Sequence, residues 1–133
     1  MKVKFTAKLL LTSILTAFAI NVAHANTNWT HFDTSDDDIK EFYYDANDIR
    51  TTSEGDYELE VLVEYNEAEI DNAGNAFDTA IETWVYDCQG MMRVDDELWF
   101  LGDNFVDSNL GTGDWEVIQS NSVGETLEKI ICQ

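Results

Sequence analysis

Nine residues, Tyr57 to Tyr65, constrain the fold more than any other stretch of the chain. Tyr57, Leu59, Val61, Val63 and Tyr65 alternate with Glu58, Glu60, Leu62 and Glu64. An alternation of period two puts one set of side chains on each face of a strand. One face is apolar and the other mostly acidic, the pattern of a sheet covered on one side. The segments Trp29 to Asp33, Phe42-Tyr43-Tyr44, Phe77 to Cys88, Met91 to Leu101 and Trp115 to Ile118 supply further strands. Asp45-Ala46-Asn47-Asp48, Ser53-Glu54-Gly55-Asp56 and Gln89-Gly90 have the composition of turns. Asn66 to Ala76 reads as a polar loop turning at Asp71 to Asn75, and Gly102 to Asp114 as an irregular loop. In the Phe77 strand, Trp84, Tyr86 and Cys88 share a face. In the next, Met92, Val94, Leu98 and Phe100 are expected on one face, with Asp96 interrupting it. A bulge that turns Asp96 to solvent would account for the interruption.

The period changes near the C-terminus. Ser122 is a good N-cap, Glu125 follows three residues on, and Leu127, Ile130 and Ile131 fall at helical spacing. A helix with one apolar stripe needs a surface to cover. The expected fold is therefore α+β: a single antiparallel sheet with a C-terminal helix packed on it.

The first 25 residues have a different character. Lys2, Lys4 and Lys8 precede an apolar stretch from Leu9 to Val22, and Ala23-His24-Ala25 closes it. A basic start, an apolar middle and a small-x-small site make a secretory signal peptide, cleaved after Ala25. The apolar stretch is short for a spanning helix, so no membrane span is expected after cleavage. Residues 26–133 then form one domain, placed in the periplasm or outside the cell. The chain's two cysteines, Cys88 and Cys132, both lie in that domain. An even count in an exported chain implies a disulfide, and here it would bolt a strand end to the terminal helix.

Charge narrows the list of partners. The chain carries 27 acidic and seven basic residues, a formal charge of −20. Once the leader is removed, only Lys40, Arg50, Arg93 and Lys129 remain as cations. Such a surface repels nucleic acid and anionic membranes and attracts cationic proteins.

The order of several short motifs resembles the surface-adhesin protein E-like family of exported bacterial proteins. Trp29 opens the domain, and Tyr43-Tyr44-Asp45 precedes Ile49. Tyr86-Asp87-Cys88 ends a strand, and Trp115 leads through Ser122 to Cys132. The resemblance spans Trp29 to Cys132. It implies a single antiparallel sheet whose C-terminal helix is tethered by the disulfide. It also implies binding of other proteins, as the family's adhesin binds matrix and serum proteins. That adhesin is lipid-anchored, whereas this chain has no cysteine at the cleavage site.

Motifs for chemistry are sparse. His31 is the one histidine beyond the leader, and no Gly-x-Ser-x-Gly elbow is present. Gly111-Thr112-Gly113 leads to acids and Trp115, not to the basic residue and helix of a phosphate loop. Asp107, Asn109, Asp114 and Glu116 offer oxygen ligands suited to calcium but lack the spacing of an EF-hand, so no cofactor is expected. Trp99, between Glu97 and Leu101 on the charged face of its strand, is the best candidate for a binding aromatic. The resulting expectation is a non-enzymatic binding protein of the bacterial envelope that engages a protein partner. The alternative is an acidic periplasmic inhibitor of a basic enzyme such as lysozyme, with a cationic partner.

Overall fold

A computed structural model describes residues 27–133. The expected signal peptide and its expected cleavage site lie outside the described residues. The described chain runs through β1 (Trp29–Thr34), β2 (Lys40–Asp45), β3 (Arg50–Thr51), β4 (Tyr57–Ile70), β5 (Ala76–Tyr86), β6 (Met91–Leu101), β7 (Asn104–Asn109) and β8 (Glu116–Val117). It ends in α1 (Val123–Ile131). The strands form one antiparallel sheet in the order β1-β2-β4-β5-β6-β7. β3 continues the line of β2 along β4, and β8 pairs with the start of β6. Nearly every strand follows its neighbour in sequence, so the sheet is a meander.

The alternation of β4 sorts the core onto two faces. Leu59, Val61 and Val63 join Phe42, Ala80, Trp84, Tyr86 and Leu127 in the larger buried cluster, on the face that carries α1. Leu62, set among glutamates, points the other way and packs with Ile81, Phe100, Trp29, Tyr43 and Leu98. Bulges adjust this sorting. In β1 the register slips between His31 and Asp33, and Phe32 packs against Phe42 and Trp84 in the helix-side cluster.

The bulge expected at Asp96 is present, and its effect is larger than anticipated. Val94 pairs with Trp84, while Glu97 pairs with Glu82, so β6 holds one extra residue there. Asp96 turns to solvent. Met92 and Val94 therefore pack on the helix side, while Leu98 and Phe100 pack on the opposite face. The four do not share one face, because an odd insertion exchanges the faces of everything beyond it.

Two segments expected as loops are strands. β4 runs on to Ile70, past a further irregularity between Glu64 and Glu69. The hairpin closes at Asp71, whose carbonyl accepts from the Gly74 amide at 3.0 Å, with Gly74 at φ 86°. Asn104–Asn109 pairs along β6 as β7. The rest of the Gly102 to Asp114 segment is pinned to the β6 bulge: Asp96 accepts from the Gly111 amide at 2.7 Å, and Asp95 from the Gly113 amide at 2.9 Å.

α1 begins as the sequence implies. The Ser122 hydroxyl oxygen accepts from the Glu125 amide at 3.2 Å, and the Glu125 carboxylate accepts from the Asn121 amide at 3.2 Å. The reciprocal bond of the capping box thus falls one residue upstream of the N-cap. Leu127 is fully buried against the sheet. Gly124 sits where a Cβ would lie 2.6 Å from the Met92 sulfur, so the helix approaches β6 closely at that point. Cys88 and Cys132, 44 positions apart in sequence, form the disulfide, with Cα atoms 5.5 Å apart.

Candidate functional site

α1 packs over the Phe42, Leu59, Trp84 and Met92 region of its face. Across the remainder of that face, Tyr65 of β4, Phe77 of β5 and Trp99 of β6 form a row of aromatic rings. Tyr65 meets Phe77 edge-on at 5.3 Å between centroids, and Phe77 meets Trp99 at 6.1 Å. The register explains the row: Val63 pairs with Ala80 and Ala80 with Trp99, so adjacent strands bring large rings beside a small residue.

Trp99 is thus half-buried on the helix-bearing face, rather than standing free on a charged one. Its ring and Phe77 floor a hollow of about 410 Å³. The walls are the β4–β5 hairpin, with Ile70 and Asp71, and β7, with Asp107 and Asn109. Both walls belong to segments expected as loops. Without the β4 extension and β7, Trp99 would have no enclosure. Ile70, 65% exposed, forms an apolar lip. A second hollow, of about 580 Å³, lies between the β1–β2 hairpin and the start of α1 and is lined mainly by polar side chains, among them Asp36, Lys40 and Glu125.

Carboxylates crowd the aromatic row. Glu82 and Glu97 are directly paired across β5 and β6. Glu82 keeps a little solvent contact but is surrounded by protein, and its burial pushes the carboxyl up to about 7. The Trp84 indole N–H, donating at 2.6 Å, opposes that shift, while Glu97 reinforces it. Burial also raises Glu97. Tyr65 is pushed up to about 12, by burial first and then by the charges of Glu82, Glu69 and Glu97. The Lys40 ammonium lies over the Tyr65 ring at 5.3 Å from its centroid.

Glu82 is the residue that sequence reasoning missed. Its signal was present: it is the one charge in the apolar series Ala80, Trp84 and Tyr86. Its pairing with Glu97 was not visible, because it depends on the β6 bulge.

The other sequence candidates scatter. His31 is exposed on β1 and hydrogen-bonds Glu41 at 2.7 Å. Asp107 and Asn109 sit on β7 and Glu116 on β8. Among the described residues no three His, Cys, Asp or Glu side chains converge as a metal cage. No described helix is long and apolar enough to cross a membrane.

A meander sheet with a disulfide-tethered helix over part of one face, and a part-open aromatic hollow beside it, defines a small antiparallel-sheet domain of the α+β class. The chain belongs to the Surface-adhesin protein E family, whose pattern it matches over residues 29–133. It is a surface-adhesin-like protein in that sense. No curated protein and no solved structure matches it significantly.

Proposed function

We propose that this chain is an exported, non-enzymatic protein of the bacterial envelope that binds another protein through the Trp99 hollow. The observation that carries the reading is the hollow itself. It joins a half-buried tryptophan floor to an exposed apolar lip at Ile70 and polar walls at Asp71 and Asp107. An aromatic anchor point with a polar rim is the usual anatomy of a protein-binding hot spot. Family membership supports the binding role. The basic start, apolar middle and Ala23-His24-Ala25 site support export with cleavage after Ala25, to the periplasm or the cell exterior.

The acid excess supports a second reading, capture and inhibition of a basic enzyme such as lysozyme. With 27 acids, long-range attraction would speed the encounter and weaken with salt.

One experiment separates the two. The chain from Asn26 onward is assayed for binding to immobilised matrix proteins, serum proteins and lysozyme across a salt series. The proposed function predicts binding to at least one matrix or serum protein that survives moderate salt, because an apolar anchor is not screened. Binding to lysozyme alone, lost steadily as salt rises, would favour the inhibitor reading. No binding to any panel member would overturn both.

A further inference from the structure

The hollow's walls and floor specify what kind of side chain enters it. We propose that the Trp99 hollow is a receptor for a lysine or arginine side chain of the protein partner. This inference rests on the protein-binding reading above and names the chemistry of its contact.

Three observations combine. First, the floor is the Trp99 ring with Phe77 beside it, and an aromatic face attracts a cation, tryptophan most strongly. Second, two acidic residues line the same space: Asp107, paired across the strands with Trp99, and Asp71, whose carboxylate also accepts from the Ala73 and Asn75 amides of its hairpin. An ammonium or guanidinium entering between them would pair at the rim while its methylene stem covers Ile70 and the rings. A purely apolar side chain would gain the floor but would draw water away from the Asp107 carboxylate, whose one protein donor is the Ser108 amide, and bring no cation in exchange.

Third, this chain already holds its own cations in the same way. The Lys40 ammonium lies over Tyr65 at the far end of the same aromatic row. The Arg93 guanidinium lies over the Trp115 ring at 4.7 Å, and its Nε donates to Asp95 at 2.9 Å. Arg50 is engaged by Asp48 and Glu58, and Lys129 by Glu125. All four cations among the described residues are therefore committed elsewhere. The Glu69 carboxylate, which also bears on Tyr65, adds negative potential along the row. The cation complementary to Trp99 and Asp107 has to come from outside the described residues.

The test is an NMR titration of the chain from Asn26 onward, observing the Trp99 indole N–H. The probes are Nα-acetyl-lysine amide, Nα-acetyl-arginine amide and the uncharged isostere Nα-acetyl-norleucine amide. The expected result is a saturable shift with the two cationic probes, with Kd on the order of 1–10 mM, and at least fivefold weaker binding of norleucine. Asp107→Asn, which keeps an oxygen to accept from the Ser108 amide, should weaken the cationic probes about threefold and leave norleucine unchanged. Equal binding of norleucine and lysine would overturn the inference, as would silence of the Trp99 signal with all three. Neither result would touch the protein-binding reading, which the panel assay decides separately. If the panel partner binds and its lysines matter, acetylating them should abolish binding to wild type. Undiminished binding after acetylation would also refute the cation contact.

Discussion

The Tyr86 hydroxyl donates to the Gly124 carbonyl at 3.0 Å, joining the end of β5 to the first turn of α1 across 38 residues of sequence. Tyr86 is completely buried, and burial raises its hydroxyl well above the usual tyrosine range. The bond is therefore held by a neutral donor at every physiological pH. Tyr86→Phe keeps the packing and removes the donor. It should cost about 1 kcal/mol in urea denaturation, with an unchanged slope.

The disulfide sets how tightly α1 is held. Cys88 and Cys132 close a loop across a sequence separation of 44. In the chain-entropy picture a closure of that length contributes roughly 4 kcal/mol. Reduction, or Cys132→Ser, should lower the unfolding free energy by about that amount. Urea denaturation with and without reductant measures it. Because Tyr86–Gly124 and Leu127 also hold the helix, the reduced protein should lose stability before it loses helix signal in circular dichroism.

Glu82 gives the protein a signature in its pH dependence. Its folded pKa is raised from 4.5 to about 7, by burial first. Below the unfolded value the carboxyl is protonated in both states and carries no penalty. Between the two values the folded state keeps a proton that the unfolded state has released, so stability falls as pH rises. Above about 7 the full penalty stands. The groups that face Glu82 are Glu97, Lys40, Tyr65 and Trp84. Glu82→Gln keeps an acceptor for the Trp84 indole and removes the charge. It should stabilise the fold by roughly 1–3 kcal/mol at pH 8, a value reduced for the residual solvent contact, and change little at pH 4. Denaturation at pH 4, 5.5 and 8 checks this, and parallel profiles for the two proteins would show that Glu82 titrates normally.

Gly113 marks the point where the loop after β7 meets the sheet. A Cβ there would lie 1.9 Å from the Val94 carbonyl oxygen, a backbone atom that cannot move aside. Gly113→Ala should push the loop from β6 and break the Asp95 hydrogen bond at its amide. We expect a loss of about 1–3 kcal/mol, measured by urea denaturation. A change in near-ultraviolet circular dichroism should accompany it as Trp115 leaves Arg93.

The parts of the fold legible in the sequence were those set by local pattern. The alternation in Tyr57 to Tyr65, the Ser122 cap with Leu127, and the Cys88–Cys132 pair all appear as read. The parts that escaped are set by pairing between distant segments. Beyond Tyr65 the chain turns polar and carries turn residues, and the end of β4 is held as a strand by pairing of Glu69 and Ile70 with Phe77 and Ala76 of β5. Asn104–Asn109 is a strand because β6 offers it a partner, not because Asp107, Ser108 and Asn109 favour one. The β6 bulge was foreseen from Asp96, but its reversal of faces was not. Trp99 stood out from the sequence as an aromatic among charges. Its hollow could not, since both walls belong to segments that read as loops.

The central claim is that Trp99 is where this protein meets its partner. The most direct measurement is the affinity of the tightest-binding matrix or serum protein for the wild type, Trp99→Leu and Asp107→Asn. Unfolding midpoints are recorded alongside to show that each variant is folded. The account predicts at least a tenfold loss for Trp99→Leu and about a threefold loss for Asp107→Asn, most of it at low salt. A folded Trp99→Leu protein that binds as tightly as wild type would contradict it.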